Sequence, residues 1–143
     1  MKILILLILT SCSSLHYKVI DKKIGKDVLS IIEEFKRDHL KYLHSEMEDT
    51  IEFRFVDSHM VNRRMIAGEC TIGLDTAIIS LDYTNWMGLD YKASKNLIYH
   101  ELGHCVLGKK HNDLTDGDYA LDIMHSSLNV KEMGENEIQE LFR

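Results

Sequence analysis

The spacing of apolar residues in the first part of the chain predicts one long helix followed by a strand. Between Asp27 and Glu48 apolar residues recur at helical spacing with charged residues on the other face, and they are Val28, Ile31, Ile32, Phe35, Leu43 and Met47. Asp27 can cap the start of this helix. Residues 50–56 then alternate strictly between polar and apolar side chains, which is typical of a half-buried strand.

The pattern in the second part predicts two more strands and two more helices. Residues 65–72 form a weak strand pattern and residues 76–83 a stronger one. Residues 94–106 have helical spacing, and Gly108 is placed to end that helix in a left-handed conformation. A short helix is predicted around Ile138, Leu141 and Phe142. This order predicts an α+β fold, with a small, mostly antiparallel sheet packed on two long helices and a C-terminal helix.

Composition limits the chain to one globular domain. The 143 residues contain 45% hydrophobic residues and no proline, which is enough for one core and argues against disorder. The formal net charge of -6 argues against nucleic acid as a partner, because phosphate binding requires a concentrated positive surface. We expect the protein to be a monomer.

The N-terminus has the features of an export signal. Lys2 is followed by seven apolar residues and then by small polar ones, a run too short to span a bilayer. The segment Leu9-Thr10-Ser11-Cys12 resembles a bacterial lipobox, and the alternative is an ordinary cleaved signal. We therefore predict a signal peptide at 1–11, a tether at 12–25 and a domain at 26–143. The resemblance implies an exported lipoprotein, periplasmic or on the cell surface, anchored to the membrane by a lipid on Cys12.

The two remaining cysteines, Cys70 and Cys105, are candidates for a disulfide. An exported protein is found in an oxidising compartment, which allows the bond. The alternative is two buried free thiols. Cys105 is rotated about 100° around its helix from His104, so it is not expected to bind the same ion as that histidine.

The run His100-Glu101-Leu102-Gly103-His104 is the strongest chemical signal in the sequence. Positions i and i+4 lie one turn apart on the same helix face, so two imidazoles can converge on one ion. Glu101 is placed to exchange a proton with a water molecule and then with a leaving amine. The pattern is a signature of zinc metallopeptidases.

Two ligands are too few for a stable zinc site, so a third residue is needed. His111 could not reach the ion if the helix continued, since it would lie about 10 Å farther along the axis. The chain would have to turn back after His104, and Gly108 is the residue type that such a turn requires.

Residues 100–111, together with Ile123-Met124, resemble the metzincin clan of zinc peptidases, whose pattern is H-E-x-x-H-x-x-G-x-x-H followed by a turn containing Met. The run His-Glu-Leu-Gly-His-Cys is also similar to small bacterial lipoproteins assigned to metallopeptidases by motif. The resemblance implies a bound Zn²⁺ and a peptide or protein substrate. The residues it implies are the ligands His100, His104 and His111, the base Glu101, the turn residue Gly108 and a hydrophobic floor at Met124. It also implies that an edge strand, matched here by residues 76–83, pairs with the substrate.

The sequence departs from the clan at one point. Three residues separate His104 from Gly108, where the clan has two, and one more helical residue rotates the exit by about 100°. Other third ligands therefore stay open: Asp113, or a glutamate of a later helix, which would be Glu132, Glu135 or Glu137.

Several interpretations of the remaining chemistry are possible. His125 and Tyr119 are candidate stabilisers of an oxyanion, whereas His16, His39, His44 and His59 show no pairing and are interpreted as surface residues. The same ligands could serve a zinc amidase acting on cell-wall peptide. A non-catalytic metal-binding lipoprotein is a third interpretation, which Glu101 argues against because a pure binding site needs no base.

Overall fold

The computed structural model describes residues 22–47, 51–57, 60–61, 64–74, 76–116, 119–127 and 133–143. The predicted signal peptide at 1–11 and Cys12 lie outside these residues. The elements confirm the α+β class. In chain order they are α1 (Lys22–Leu43), β1 (Ile51–Val56), β2 (Met60–Val61), β3 (Arg64–Met65), β4 (Gly68–Ile72), β5 (Ala77–Asp82), α2 (Tyr83–Gly88), α3 (Tyr91–Cys105), β6 (Thr115–Asp116), β7 (Tyr119–Ala120) and α4 (Glu135–Leu141).

Helix α1 begins earlier and ends earlier than predicted. It starts at Lys22, inside the predicted tether, and not at Asp27. Residues 22–26 contain no proline, and although Gly25 disfavours a helix, the three lysines around it are compatible with one, so the helix can include this segment. The helix ends at Leu43 because His44 adopts a left-handed conformation with φ 56°.

The main sheet has three strands in the order β1-β5-β4. Strand β4 is antiparallel to β5, but β1 is parallel to β5. The prediction of a mostly antiparallel sheet is therefore correct for β4–β5 and wrong for β1–β5. A short turn, closed by the hydrogen bond from Gly73 N to Thr76 O, folds β4 back onto one side of β5. The other side is left for β1, whose longer connection permits parallel pairing.

This order also corrects the predicted edge strand. Residues 76–83 were expected at the edge of the sheet, but β5 has a neighbour on both sides. The two strands at the edges are β1 and β4, and β4 contacts α3. The apolar residues among positions 76–83 predict a strand, but they do not show how many neighbouring strands it has, so the sequence could not distinguish these two positions.

One face of the sheet forms the core together with the long helices. Phe53 pairs with Ile79 in register and Phe55 with Leu81, and all four side chains are buried. On α1 the buried residues are Val28, Ile31, Ile32 and Phe35, and on α3 they include Leu97, Ile98 and Leu102. Helices α1 and α3 contact each other and form one layer of the domain, and the sheet, which α3 contacts through β4 and β5, forms the other.

His39, which was interpreted as a surface residue, is buried. Its Nδ1 lies 2.9 Å from Ser45 O, and its ring packs edge-on against Phe142 at 6.0 Å between centroids. Phe142 directly follows α4, so a contact between distant parts of the sequence covers this histidine. The spacing of histidines along the chain carries no information about such a contact.

The predicted disulfide between Cys70 and Cys105 is present, with Cα atoms 5.6 Å apart. It joins the edge strand β4 to the last residue of α3. Among the residues that the structure describes, no helix is both long enough and apolar enough to cross a membrane.

We predict that the double variant Cys70→Ser/Cys105→Ser unfolds more easily than the parent. The bond closes a loop with a sequence separation of 35 residues, and the entropy lost by the unfolded chain corresponds to about 3–4 kcal/mol for a loop of that length. Urea unfolding measures the difference. The parent in reductant is the control and should match the double variant; an unchanged free energy of unfolding would contradict the prediction.

Candidate metal centre

Helix α3 carries His100 and His104 on one face. The helix begins where Asp90 caps it, with its carboxylate accepting the N–H of Ala93 at 2.8 Å. Its apolar side is buried against the core, and the motif lies in its last two turns. His100 is 6% exposed and His104 is half-buried. Both residues line a cavity in the domain.

A wide turn at Gly108 brings the chain back towards α3. Gly108 has a positive φ of 63°, as predicted for the residue that ends the helix. The Lys109 N–H donates to Gly103 O at 3.0 Å. This hydrogen bond closes a loop one residue longer than the loop closed at the usual glycine-terminated end of a helix. The extra residue after His104 is therefore accommodated inside this turn, and His111 returns to the helix.

The three histidines converge on one point. His100 Nε2 lies 3.1 Å from His104 Nε2 and 3.3 Å from His111 Nε2. One ring nitrogen from each of the three histidines lies within 4.8 Å of the corresponding nitrogens of the other two. Tetrahedral zinc with Zn–N distances of about 2.0–2.1 Å separates its nitrogen ligands by about 3.3 Å. The three residues could hold a metal ion at this spacing.

Backbone carbonyls fix the tautomers of two of these rings. His100 Nδ1 donates to Ile123 O at 2.8 Å, and His104 Nδ1 donates to Lys109 O at 2.7 Å. A carbonyl can only accept, so each neutral ring carries its proton on Nδ1 and a lone pair on Nε2. Two such lone pairs 3.1 Å apart repel each other, and a cation between them would remove this repulsion.

Near neutral pH, a proton does not supply the positive charge between His100 and His104. Burial lowers the pKa of His100 to about 4, and the neighbouring His104 and His111 lower it further, against a smaller opposing effect of the Ile123 hydrogen bond. Burial also lowers the pKa of His104. Both imidazoles are thus neutral and available as metal ligands at physiological pH.

The alternative third ligands are engaged elsewhere. Asp113 accepts the N–H of Ser126 at 2.8 Å. Glu135 bonds to Lys41 and Tyr42 of α1, and Glu137 accepts the N–H of Gly134 at the start of α4. Glu132 lies outside the described residues. Of the candidates that the structure describes, His111 is the one that joins the two helix histidines.

Glu101 lies between α3 and the edge strand β4 and is 3% exposed. Burial raises its pKa to about 8, the nearby Glu69 raises it further, and a hydrogen bond from the backbone N–H of Cys70 opposes the rise. A Cβ at Gly68 would lie 2.8 Å from Glu101 Oε1. The absence of a side chain at Gly68 therefore makes room for the carboxylate, a role that the sequence analysis did not identify.

Met124 is buried and packs against α3 at Gly103. A Cβ at Gly103 would lie 2.4 Å from its sulfur, so the close approach requires glycine at that position. Gly103 was not singled out by the sequence analysis, although a glycine inside a helix is itself a signal of close packing. The carbonyl of Ile123 bonds to His100, so the turn around Met124 directly adjoins the ligands.

His125, one of the two candidate oxyanion stabilisers, is not among the described residues that line this cavity. His125 bonds within its own loop, where Nδ1 lies 3.1 Å from Ser127 O. The side chain of Tyr119 lies outside the described part of the structure. Ser126, which the sequence analysis did not consider, does line the cavity.

The cavity beside the histidines has a volume of about 660 Å³. Glu101 and the three histidines form part of its wall, and residues 66–70 of the β4 region form another part. An open cavity with converging imidazoles and a buried carboxylate can bind a cation and a neighbouring substrate.

We predict that in metal-free protein Glu101→Gln raises the melting temperature more at high pH than at low pH. The pKa of Glu101 is about 8 in the folded protein, whereas an unperturbed glutamate has a pKa of 4.5. Stability from the protonated carboxyl is therefore full below pH 4.5 and is lost as the pH rises through 8. The gain should reach the order of a few kcal/mol. Melting curves with chelator from about pH 5 to 9 measure it, and a difference independent of pH would show that the carboxyl is not buried.

Comparisons with known proteins assign no family. No protein-family model, no curated protein and no solved structure matches the chain. Function has to be inferred from the chemistry of the three histidines, Glu101 and the adjoining strand edge.

Proposed function

We propose that the protein is a zinc-dependent metallopeptidase of metzincin-like architecture. The observation that carries this proposal is the convergence of three imidazole nitrogens, two of which lie 3.1 and 3.3 Å from the third, beside a buried carboxyl group. His100, His104 and His111 are the proposed ligands, and Glu101 is the proposed base.

The donor set favours zinc. Neutral imidazoles bind Zn²⁺, Cu²⁺, Fe²⁺ and Ni²⁺, and a spacing near 3.3 Å fits a tetrahedral ion. Three protein ligands leave one position open, as in catalytic zinc sites. A zinc ion at this position supplies Lewis-acid chemistry, polarising a carbonyl and lowering the pKa of water.

Glu101 is proposed to move the proton. Its carboxylate takes a proton from water in the cavity and gives it to the leaving amine of the cleaved peptide. The backbone N–H of Cys70 bonds to this carboxyl group, and both residues line the cavity. A cation held by the histidines would favour the ionised form of Glu101, which is the form that accepts a proton.

The outer edge of β4 is the proposed binding surface for an extended peptide. In an antiparallel pair, alternate residues direct their N–H and C=O groups away from the partner strand. Cys70 bonds to Glu101 through its N–H, so Gly68 and Ile72, two residues away on either side, also direct their backbone groups outwards. Gly68, Cys70 and Ile72 all line the cavity, and β-addition would hold a peptide across it.

We also propose that the protein is exported and lipidated at Cys12. The Cys70–Cys105 disulfide supports export, because such bonds persist in oxidising compartments. A lipid anchor would keep the domain at a membrane surface.

We predict that His111→Ala weakens zinc binding by far more than about 100-fold. Loss of an outer hydrogen-bond partner costs about 10- to 100-fold, and loss of a direct ligand should exceed that. Competition with a chromophoric chelator measures the affinity. Asp113→Ala is expected to fall within the smaller range and Glu135→Ala to bind like the parent. If His111→Ala binds like the parent, the third ligand is wrong and the metzincin-like assignment fails with it.

We predict that Glu101→Gln keeps stoichiometric zinc but loses hydrolysis by about 10²- to 10⁴-fold, because glutamine has nearly the same shape and cannot accept the proton. Glu135→Gln, on a different helix, is the control for loss of one acidic group. The substrates are an unbiased peptide library and, in parallel, isolated cell-wall peptides, with products identified by mass spectrometry. Cleavage of cell-wall peptides alone would favour the amidase, and zinc binding without any cleavage would favour a binding protein.

A further inference from the structure

The turn formed by residues 122–125 contacts both segments that carry the candidate ligands. Its carbonyl at Ile123 accepts the Nδ1 proton of His100 at 2.8 Å. Its carbonyl at Met124 accepts the backbone N–H of Asn112 at 2.9 Å, directly beside His111. The same turn therefore orients a ligand on the helix and a ligand on the returning loop.

The Asp122 carboxylate holds this turn together. One oxygen accepts the N–H of Met124 at 2.8 Å, which closes the turn from inside. The other oxygen accepts the side-chain amide of Asn112 at 2.7 Å, which ties the His111 segment to the turn. In addition, the backbone carbonyl of Asp122 accepts the N–H of His125 at 3.1 Å. The two carboxylate oxygens thus accept from different segments: one accepts from the turn itself, and the other accepts from the segment that carries His111.

We propose that Asp122 is a positioning residue of the metal site. It sets metal affinity by holding His100 and His111 at a fixed distance and orientation relative to each other. It does not contact the ion. Its effect passes to His100 through the carbonyl of Ile123 and to His111 through Asn112. This inference rests on the proposed metal site.

The charge of Asp122 adds to this geometric role. The carboxylate lies within the turn whose Ile123 carbonyl bonds to His100. A negative group behind a ligand that donates to a carbonyl also favours a cation in front of it. Asn112 makes two separate hydrogen bonds to the turn: its side-chain amide donates to the Asp122 carboxylate, and its backbone N–H donates to Met124 O. Only the first of these bonds depends on the Asp122 side chain.

The test is the variant Asp122→Asn. Asparagine keeps the size of the side chain but replaces one acceptor with an NH₂ group, which would face either the Met124 N–H or the Asn112 amide. We expect zinc affinity to fall by about 10- to 100-fold. Asp116→Asn is the matched control, because Asp116 is an exposed aspartate of the same segment and its loss changes the net charge equally. Affinity is measured by chelator competition at neutral pH.

Cobalt substitution separates positioning from general stability. The visible absorption of Co²⁺ reports ligand geometry, so Asp122→Asn should change the spectrum and Asp116→Asn should not. Melting temperatures in chelator show whether the metal-free fold is retained. A variant that melts like the parent yet binds zinc less tightly supports positioning. Parent-like affinity and spectrum for Asp122→Asn would overturn the proposal.

The single variant Asn112→Ala keeps the proposal testable if Asp122→Asn does not fold, and a double-mutant cycle adds a further test if Asp122→Asn does fold. Asn112→Ala removes only the link to the His111 segment and should weaken zinc binding by about 10-fold. If the link acts as described, the double variant should lose less affinity than the two single losses combined. Parent-like affinity for Asn112→Ala would overturn the route to His111. Failure of the parent to bind zinc would overturn the metal site itself, together with this inference.

Discussion

Two imidazole nitrogens without a proton face each other 3.1 Å apart, because backbone carbonyls hold the proton on the other side of each ring. This arrangement is unfavourable for neutral histidines alone, since neither Nε2 can donate to the other. It becomes favourable when a cation accepts both lone pairs. The carbonyls come from Ile123 and Lys109, so the segments that follow α3 determine which atoms of the motif face the cavity.

The turn after α3 explains how an unusual spacing can still form this site. Three residues separate His104 from Gly108, and the hydrogen bond from Lys109 to Gly103 closes a loop long enough to contain them. Cys105, the first of these residues, is also joined to β4. The helix end is therefore held from two sides: by its own backbone and by a covalent bond to the strand next to Glu101. The additional residue widens the turn without removing His111 from the site.

The sequence predicted those parts of the site that depend on local geometry. The i, i+4 histidines and the left-handed Gly108 follow from helix periodicity and from the conformations that glycine allows, whereas the return of His111 was implied by the resemblance to metzincins. Contacts between distant segments could not be predicted in this way. The central position of β5, the burial of His39 beneath Phe142 and the space that Gly68 leaves for Glu101 all depend on which surfaces meet in three dimensions. The early start of α1 was missed for a different reason: Asp27 resembles a cap, and no local signal showed that the helix continues past it.

Glu101 is difficult to explain as a residue that stabilises the fold. Its carboxyl group is 3% exposed, shares a cavity wall with three imidazoles and lies near Glu69, and its pKa is about 8. Ionisation of a buried carboxyl group that lacks a positive partner is unfavourable, so without a cation this residue reduces stability near and above neutral pH. A positive ion between the histidines would supply the missing partner and favour the carboxylate. Residues that conflict with local stability are expected at functional sites. The physical cost of Glu101 is therefore an independent argument that the three histidines hold a cation and that this carboxylate acts beside it.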